Sequence, residues 1–458
     1  MESEVQQQAG DKLIRILAFT LVISVMNATM FNIVLPKIKE EFQLSLAQVS
    51  WVFAVYTLVY AIGSVVYGKL ADTYKLKNLI TFGLILLFLG SVAGLAAEAY
   101  WMVLLGRILQ ASGAAVIPAI AMIIPVRYFP AERRGRALGI SATGLALGNA
   151  IGPVISALIV SVVHWRWLFC MPLFLLITVP FYRKYLRDEQ TRAGGIDWIG
   201  GGLLAGTVAL LLLAVTQGGW ILAAGSLIFF LLFIVRIHSA AEPFVQPRLF
   251  RNHNYSLGLI MAVFIMSAGY SLPFLTPQLL ADVNGLSPGW IGAVMVPAAV
   301  TSAILGRKGG RLADKRGNST LFYIAFVLLL ICFALFSSFA GSSPAFIAFF
   351  LIFGTVGQMF MQIALSNSIS RTLPKEQTGV GMGLLTMLNF LAGAVSTGIY
   401  SKIVDQGSGY RWNPMNTSPG SFVYSNIYAL LVVVQIGILI FYHFQFNSDH
   451  SKKTPRLK

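Results

Sequence analysis

Almost the whole chain from Leu13 to Phe446 consists of apolar runs separated by short polar breaks, and each run has the roughly 20 residues an α-helix needs to cross a hydrocarbon core. In lipid every backbone N–H and C=O must find a partner inside the protein, so spans of this kind are helices. Composition supports this: 57% of the 458 residues are hydrophobic and 11% charged, far outside soluble usage. The runs divide into fourteen expected spans, and no stretch is left for a separate soluble domain.

The net charge of +16 would suit a nucleic-acid surface if the bases formed a patch, but their placement follows the membrane. With the N-terminus in the cytoplasm, all 33 lysines and arginines except Lys37, Lys39, Arg107, Arg166, Lys402 and Arg411 fall in cytoplasmic segments or at the inner ends of spans. That asymmetry is the positive-inside rule. It places both termini in the cytoplasm and argues against a nucleic-acid partner. The opening MESEVQQQAGDK carries acids where a secretory signal has bases, so the first span is expected to act as its own insertion signal. Cys170 and Cys332 lie inside spans without metal or disulfide spacing and read as packed thiols.

The stretch GKLADTYKLK, Gly68 to Lys77, returns as GRLADKRG, Gly310 to Gly317, each time between two spans. Gly68, Leu70, Ala71 and Asp72 are answered by Gly310, Leu312, Ala313 and Asp314. Two copies at equivalent places indicate an internal repeat, a plan common among transporters. The expected organisation is a six-helix bundle over residues 1–190, a two-helix insert and linker over 191–254, and a second six-helix bundle with a cytoplasmic tail over 255–458. Glycine allows close approach and the aspartates sit beside bases. Asp72, Asp314, Gly68 and Gly310 are therefore expected to hold a gate, the aspartates as ion-pair partners rather than transported-proton sites.

Polar side chains inside spans mark candidate sites. Arg107 lies about six residues into its span, roughly 9 Å deep at 1.5 Å per residue. Burying it costs at least ~2.5 kcal/mol, so it is expected to be paired or to face a cavity; the alternative is an arginine that snorkels outward. Gln110 shares its helix face. Asn27, Asn32, Gln358, Gln362 and Asn389 place amides in other spans, where they either line the same cavity or bond neighbouring helices. Glycines at 144, 148 and 152 precede Pro153, a spacing for close helix contact, and Gly148, Gly152 and Pro153 join the gating set. HWRWLF, His164 to Phe169, reads as an aromatic anchor at the outer interface.

The missing motifs are equally informative. There is no H-E-x-x-H, nucleophile elbow or Walker A sequence, so neither an enzyme nor an ATP-driven pump is expected. No metal or cofactor is implied, and no acid or histidine falls clearly mid-span.

Together, the two GxLAD loops, RILQASGAA at Arg107 to Ala115, GNAIGP at Gly148 to Pro153 and the extra hairpin after DWIGG at Asp197 to Gly201 resemble the major facilitator superfamily. Within it they resemble the fourteen-span drug:proton antiporter branch, near staphylococcal multidrug pumps and more distantly Gram-positive tetracycline pumps. The resemblance implies an all-α polytopic membrane protein with two six-helix bundles and a two-helix insert. It also implies a monomer in the bacterial cytoplasmic membrane that exports small-molecule drugs against protons. It gives Arg107 a proton-associated role with Gln110 beside it. The sequence departs from the pattern at Asn27, where the branch has an aspartate, and at Asn149, where tetracycline pumps have a glutamate. Asn149 joins the substrate candidates, and Glu98 and Asp282 join Arg107 as proton-coupling candidates. A guanidinium suits a carboxylate, so fluoroquinolone-like zwitterions are expected over permanent cations. A dedicated metabolite, tetracycline or a monovalent cation is the alternative cargo, and a non-transporting receptor the alternative role.

Overall fold

The computed structural model describes residues 2–31, 34–44, 46–186, 195–215, 219–374 and 377–446. The first part of the chain forms α1 (Glu2–Met30), a short α2 (Leu35–Glu41), α3 (Leu46–Thr73), α4 (Leu76–Leu95), α5 (Tyr100–Ala114), α6 (Val116–Tyr128), α7 (Arg134–Val162), a tighter 3-10 segment (Trp165–Thr178) and α8 (Val179–Tyr185). An insert follows as α9 (Trp198–Leu213) and α10 (Trp220–Ser239). The second part runs through α11 (Arg248–Arg251), α12 (His253–Gly269), α13 (Ser271–Asp282), α14 (Pro288–Arg316), α15 (Asn318–Phe339), α16 (Pro344–Thr372), α17 (Thr378–Gln406) and α18 (Phe422–Phe446).

Local chemistry explains several boundaries. Pro118 and Pro273 have no N–H to give the preceding turn; α5 stacks end to end on α6, and α12 on α13, as single spans with a break at Ala115 and Tyr270. Gly317 separates α14 from α15 at a φ of 88°, a conformation open to glycine. Among the described residues, twelve stretches are long and apolar enough to cross a bilayer. Beside them stand α7, 29 residues long, and α9, apolar but only 16 residues long.

Buried side chains gather into two cores. One is built from residues between Leu13 and Leu186. The other is built mainly from Leu204 to Tyr442, and takes in the insert through Leu204, Val208 and Phe233. Asp197 anchors that insert: it caps α9 by accepting from the Gly200 N–H at 3.0 Å and pairs with Arg236 at 3.0 Å. Burial would raise the Asp197 carboxyl, but the Arg236 and Gly200 hydrogen bonds outweigh it and hold it below the usual range.

Gly10 lies against Phe129, and the Tyr442 hydroxyl donates to Ser319 Oγ at 3.1 Å. The start of α1 and the end of α18 therefore share one face with both GxLAD turns, here called the terminal face. On the far face the expected aromatic anchor divides. Trp167 is 52% exposed, but Trp165 is only 2% exposed, because its indole N–H donates to Glu41 at 2.6 Å. Arg166 also donates to Glu41 at 2.6 Å, and His164 lies 3.3 Å from it. Burial would raise the Glu41 carboxyl; Trp165, Arg166 and His164 together lower it. Trp165 thus ties the α2 loop to the corner after α7 instead of facing lipid.

Candidate functional site

The two halves meet along two long helix crossings, α3 with α17 and α7 with α14. Glycine makes both possible. A Cβ at Gly379 would overlap the Gly68 carbonyl oxygen, and one at Gly383 would lie 3.1 Å from the Ser64 carbonyl oxygen. At the other crossing a Cβ at Gly310 would overlap the Gly135 carbonyl oxygen, and one at Gly306 would lie 2.9 Å from that of Gly139.

Each seam is latched at the terminal face by the aspartate of a GxLAD loop reaching into the opposite half. Asp72 accepts from the N–H groups of Gly379 and Val380, both at 2.9 Å, at the start of α17. Asp314 accepts from the N–H groups of Gly135 and Arg136, both at 2.8 Å, at the start of α7. A carboxylate at a helix N-terminus satisfies orphan donors and meets the positive end of the helix dipole. Asp72 also forms an ion pair with Arg127 at 2.8 Å, 55 positions further along the chain.

The glycines of α7 serve two different neighbours. A Cβ at Gly148 would lie 2.7 Å from the Val22 carbonyl oxygen, and one at Gly152 would overlap Thr29 Oγ1. Both pack α7 against α1 in the same half, as does Ser156, whose hydroxyl donates to the Met30 carbonyl at 2.7 Å. The contact across halves falls to Gly135 and Gly139. Pro153 lies within α7, its side chain outside the described residues.

Arg107 is fully buried, so it does not snorkel. Its guanidinium is sandwiched between the rings of Phe31 and Tyr56, 4.1 and 4.0 Å from their centroids. Desolvated stacking of this kind contributes about 2 kcal/mol. Its nitrogens donate to Gln110 Oε1 at 3.1 Å, the Val52 carbonyl at 3.3 Å and the Asn27 carbonyl at 3.4 Å. Gln110 donates onward to Ser91 Oγ at 2.9 Å, and Asn27 Nδ2 to the Tyr56 hydroxyl at 3.4 Å. Among the described residues no carboxylate pairs with Arg107, and its Nη2 and Asn27 Oδ1 are left without partners. The cluster thus holds a positive charge and an unused donor in a buried site. Of its members, Tyr56, Phe31 and Ser91 were not expected. The stacked pair Tyr56 and Tyr60, at i and i+4, is the sequence signal that could have shown the aromatic wall.

The remaining candidates are dispersed. Tyr60 meets Phe390 of α17 edge to face, with centroids 5.2 Å apart. The adjacent Asn389 leaves its Oδ1 buried without a partner. Gln358 fits against Gly269, donates to Met266 Sδ at 3.6 Å and leaves Oε1 unpartnered; Gln362 is half-buried on the same helix. No described hydrogen bond joins these amides to the Arg107 cluster. Asn149 is exposed, and Asn32 lies outside the described residues. Glu98 and Asp282 are exposed at the far face, and Asp282 accepts from the Tyr424 hydroxyl at 2.5 Å. Neither is among the described partners of Arg107. Among the described residues no group of His, Cys, Asp and Glu is placed to hold a metal ion.

Comparison with known proteins agrees with this architecture. A family model described as Major Facilitator Superfamily matches residues 17–397. The chain is 27% identical over 454 residues to the riboflavin transporter RibZ of Clostridioides difficile (strain 630), covering 95% of this chain and 98% of the relative. It is 26% identical over 351 residues to Multidrug resistance protein 3 of Bacillus subtilis (strain 168), covering 74% of this chain and 68% of that one. The crystal structure of the human organic anion transporter MFSD10 (TETRAN) aligns with a TM-score of 0.67 at 14% identity, covering 93% of this chain and 99% of that one.

Proposed function

The chain belongs to the major facilitator superfamily, and from that premise we propose that it is a proton-coupled exporter of amphipathic aromatic drugs, fluoroquinolone-like zwitterions among them, across the bacterial cytoplasmic membrane. In this reading α7 and α9 join the twelve stretches of span length to make fourteen spans, as in the drug:proton antiporter branch. Residues 1–190 and 255–458 are the two moving bundles, 191–254 is the insert, and the terminal face is cytoplasmic. The transporter works as a monomer without a cofactor.

The observation that carries the substrate assignment is the buried Arg107 with an unused donor and no carboxylate. A buried donor left unpaired costs about 1–3 kcal/mol, so a ligand carboxylate beside Asn27 would relieve that cost and form a charge-assisted bond. Phe390, half-buried and edge to face with Tyr60 at the rim of this cluster, offers a surface for a planar aromatic body. A permanent cation would meet an uncompensated like charge at the same place. Release follows when the Asp72 and Asp314 latches open and re-form as the bundles rock. Asp282 is the better-placed proton candidate, being held by a largely buried tyrosine, whereas Glu98 is solvated.

Resistance in a pump-deficient bacterial host tests this. Expression should raise tolerance to norfloxacin more than to tetraphenylphosphonium, and Arg107→Ala should abolish the norfloxacin effect. A strong tetraphenylphosphonium phenotype with norfloxacin unaffected would overturn the assignment. A second reading, transport of a dedicated planar metabolite, is favoured by the likeness to a riboflavin transporter over nearly the full length of both chains. It predicts competition by riboflavin and no drug resistance.

A further inference from the structure

The two seams between the halves are covered differently. Along α3 and α17 the insert lies over the crossing: Val65 and Val66 of α3, Met387 of α17, and Gly201, Leu204 and Ala205 of α9 surround one small apolar space. In the repeat that equates Asp72 with Asp314, Val65 and Val66 correspond to Arg307 and Lys308. Apolar side chains stand where protein covers the first seam, and bases stand at the same positions beside the second.

Those bases belong to a continuous column. Ile304, Arg307, Lys308, Arg311 and Lys315 follow spacings of i, i+3, i+4, i+7 and i+11, which place them on one helix face, and all five are exposed. Gly306 and Gly310, which contact α7, lie on the other side of α14. The same exposed face is apolar further along, at Val296 and Val300. The outward stripe of α14 therefore changes from hydrocarbon-facing to basic within one turn, and the basic part is about 12 Å tall at 1.5 Å per residue. Among the described residues, none of these four bases makes an ion pair or a side-chain hydrogen bond.

We propose that Arg307, Lys308, Arg311 and Lys315 form a binding site for the headgroup of an anionic phospholipid, whose acyl chains lie along Val296, Val300 and Ile304. The lipid does at the second seam what the α9–α10 hairpin does at the first. The phosphodiester supplies the negative charge the protein leaves out, and juxtamembrane bases attract such lipids. The site is independent of the transported substrate.

The test is native mass spectrometry of the purified full-length protein titrated with phosphatidylglycerol, with phosphatidylethanolamine as the neutral comparison. The variant is Arg307→Gln, Lys308→Gln and Arg311→Gln combined; the control removes three exposed bases elsewhere, Lys12→Gln, Arg248→Gln and Arg251→Gln. The variant should bind phosphatidylglycerol at least about tenfold more weakly, while the control stays within about twofold of wild type and phosphatidylethanolamine binding is unchanged in both. If the triple variant fails to fold, Arg311→Gln with Lys315→Gln replaces it and should still lose severalfold. Unchanged phosphatidylglycerol binding in the folded variant would overturn the proposal. So would an equal loss in the control, which would reduce the effect to diffuse charge.

Discussion

Replacing Gly310 with alanine should weaken the latch at Asp314. The new methyl group would overlap the Gly135 carbonyl oxygen and lie 2.8 Å from both the Gly135 carbonyl carbon and Arg136 Cα. All three atoms are backbone of another helix, so no side-chain rotation relieves the clash. Carbon atoms rest about 3.5–4 Å apart, so α7 and α14 must separate by roughly 1 Å. The two 2.8 Å bonds from Gly135 and Arg136 to Asp314 would then stretch beyond hydrogen-bonding range. Each is a bond to a charged group worth about 1.5–3 kcal/mol, so the latched arrangement loses about 3–6 kcal/mol, and its population ratio falls by a factor of roughly 10² to 10⁴. Hydrogen exchange of purified protein should show faster exchange at the Gly135 and Arg136 amides, with transport reduced in proteoliposomes. Gly437→Ala, where a Cβ meets open space, should change neither. Wild-type exchange and transport in Gly310→Ala would refute the idea that backbone contact at this seam sets the latch.

Asp72→Asn keeps a side-chain acceptor but loses the Arg127 ion pair and the charge at α17; it should cut transport severalfold while leaving drug binding in detergent nearly unchanged, and loss of binding in a folded variant would count against a gating role. Asp282→Asn should abolish drug-induced proton release and Glu98→Gln should not; release at wild-type levels in both would remove the far-face acids from the coupling. Glu41 has a lowered folded-state pKa, so its contribution is present above the ordinary carboxylate pKa and lost as pH falls through the lowered value. Glu41→Gln should therefore lower the melting temperature at pH 7, by an amount equivalent to about 0.5–1 kcal/mol for a pair open to solvent, and the gap to wild type should close as acid protonates the carboxylate; a gap independent of pH would show that the carboxylate charge is not the cause.

Much of the architecture was legible because membrane helices announce themselves by length and apolarity, and because the repeated GxLAD loop aligns the halves. Arg107 and Gln110 were readable as partners from their i, i+3 spacing on one helix. Which neighbour each face of α7 meets was not readable. Gly135 and Gly144 are nine residues apart, two and a half turns, so Gly135 and Gly139 point to α14 while Gly144 and Gly148 point to α1. A four-residue spacing of glycines says that some helix comes close, not which one. Trp165 was misjudged for a related reason. An aromatic residue near a span end usually faces the interface, but Glu41, 124 positions earlier in the chain, gives its indole a buried partner that no local pattern reveals. Which candidate amides come together was likewise not legible, since residues on different spans share a site only through tertiary packing.

The most direct measurement is drug transport by purified protein in liposomes under an imposed pH gradient, followed for norfloxacin and for tetraphenylphosphonium. Wild-type protein should move norfloxacin against the proton flow and tetraphenylphosphonium hardly at all. Arg107→Ala should stop norfloxacin transport, and Arg107→Lys, which keeps the charge but loses the planar fork, should retain only a small fraction of it. Transport of tetraphenylphosphonium in preference to norfloxacin, or undiminished norfloxacin transport by a folded Arg107→Ala protein, would contradict the assignment of Arg107 as the group that selects the substrate.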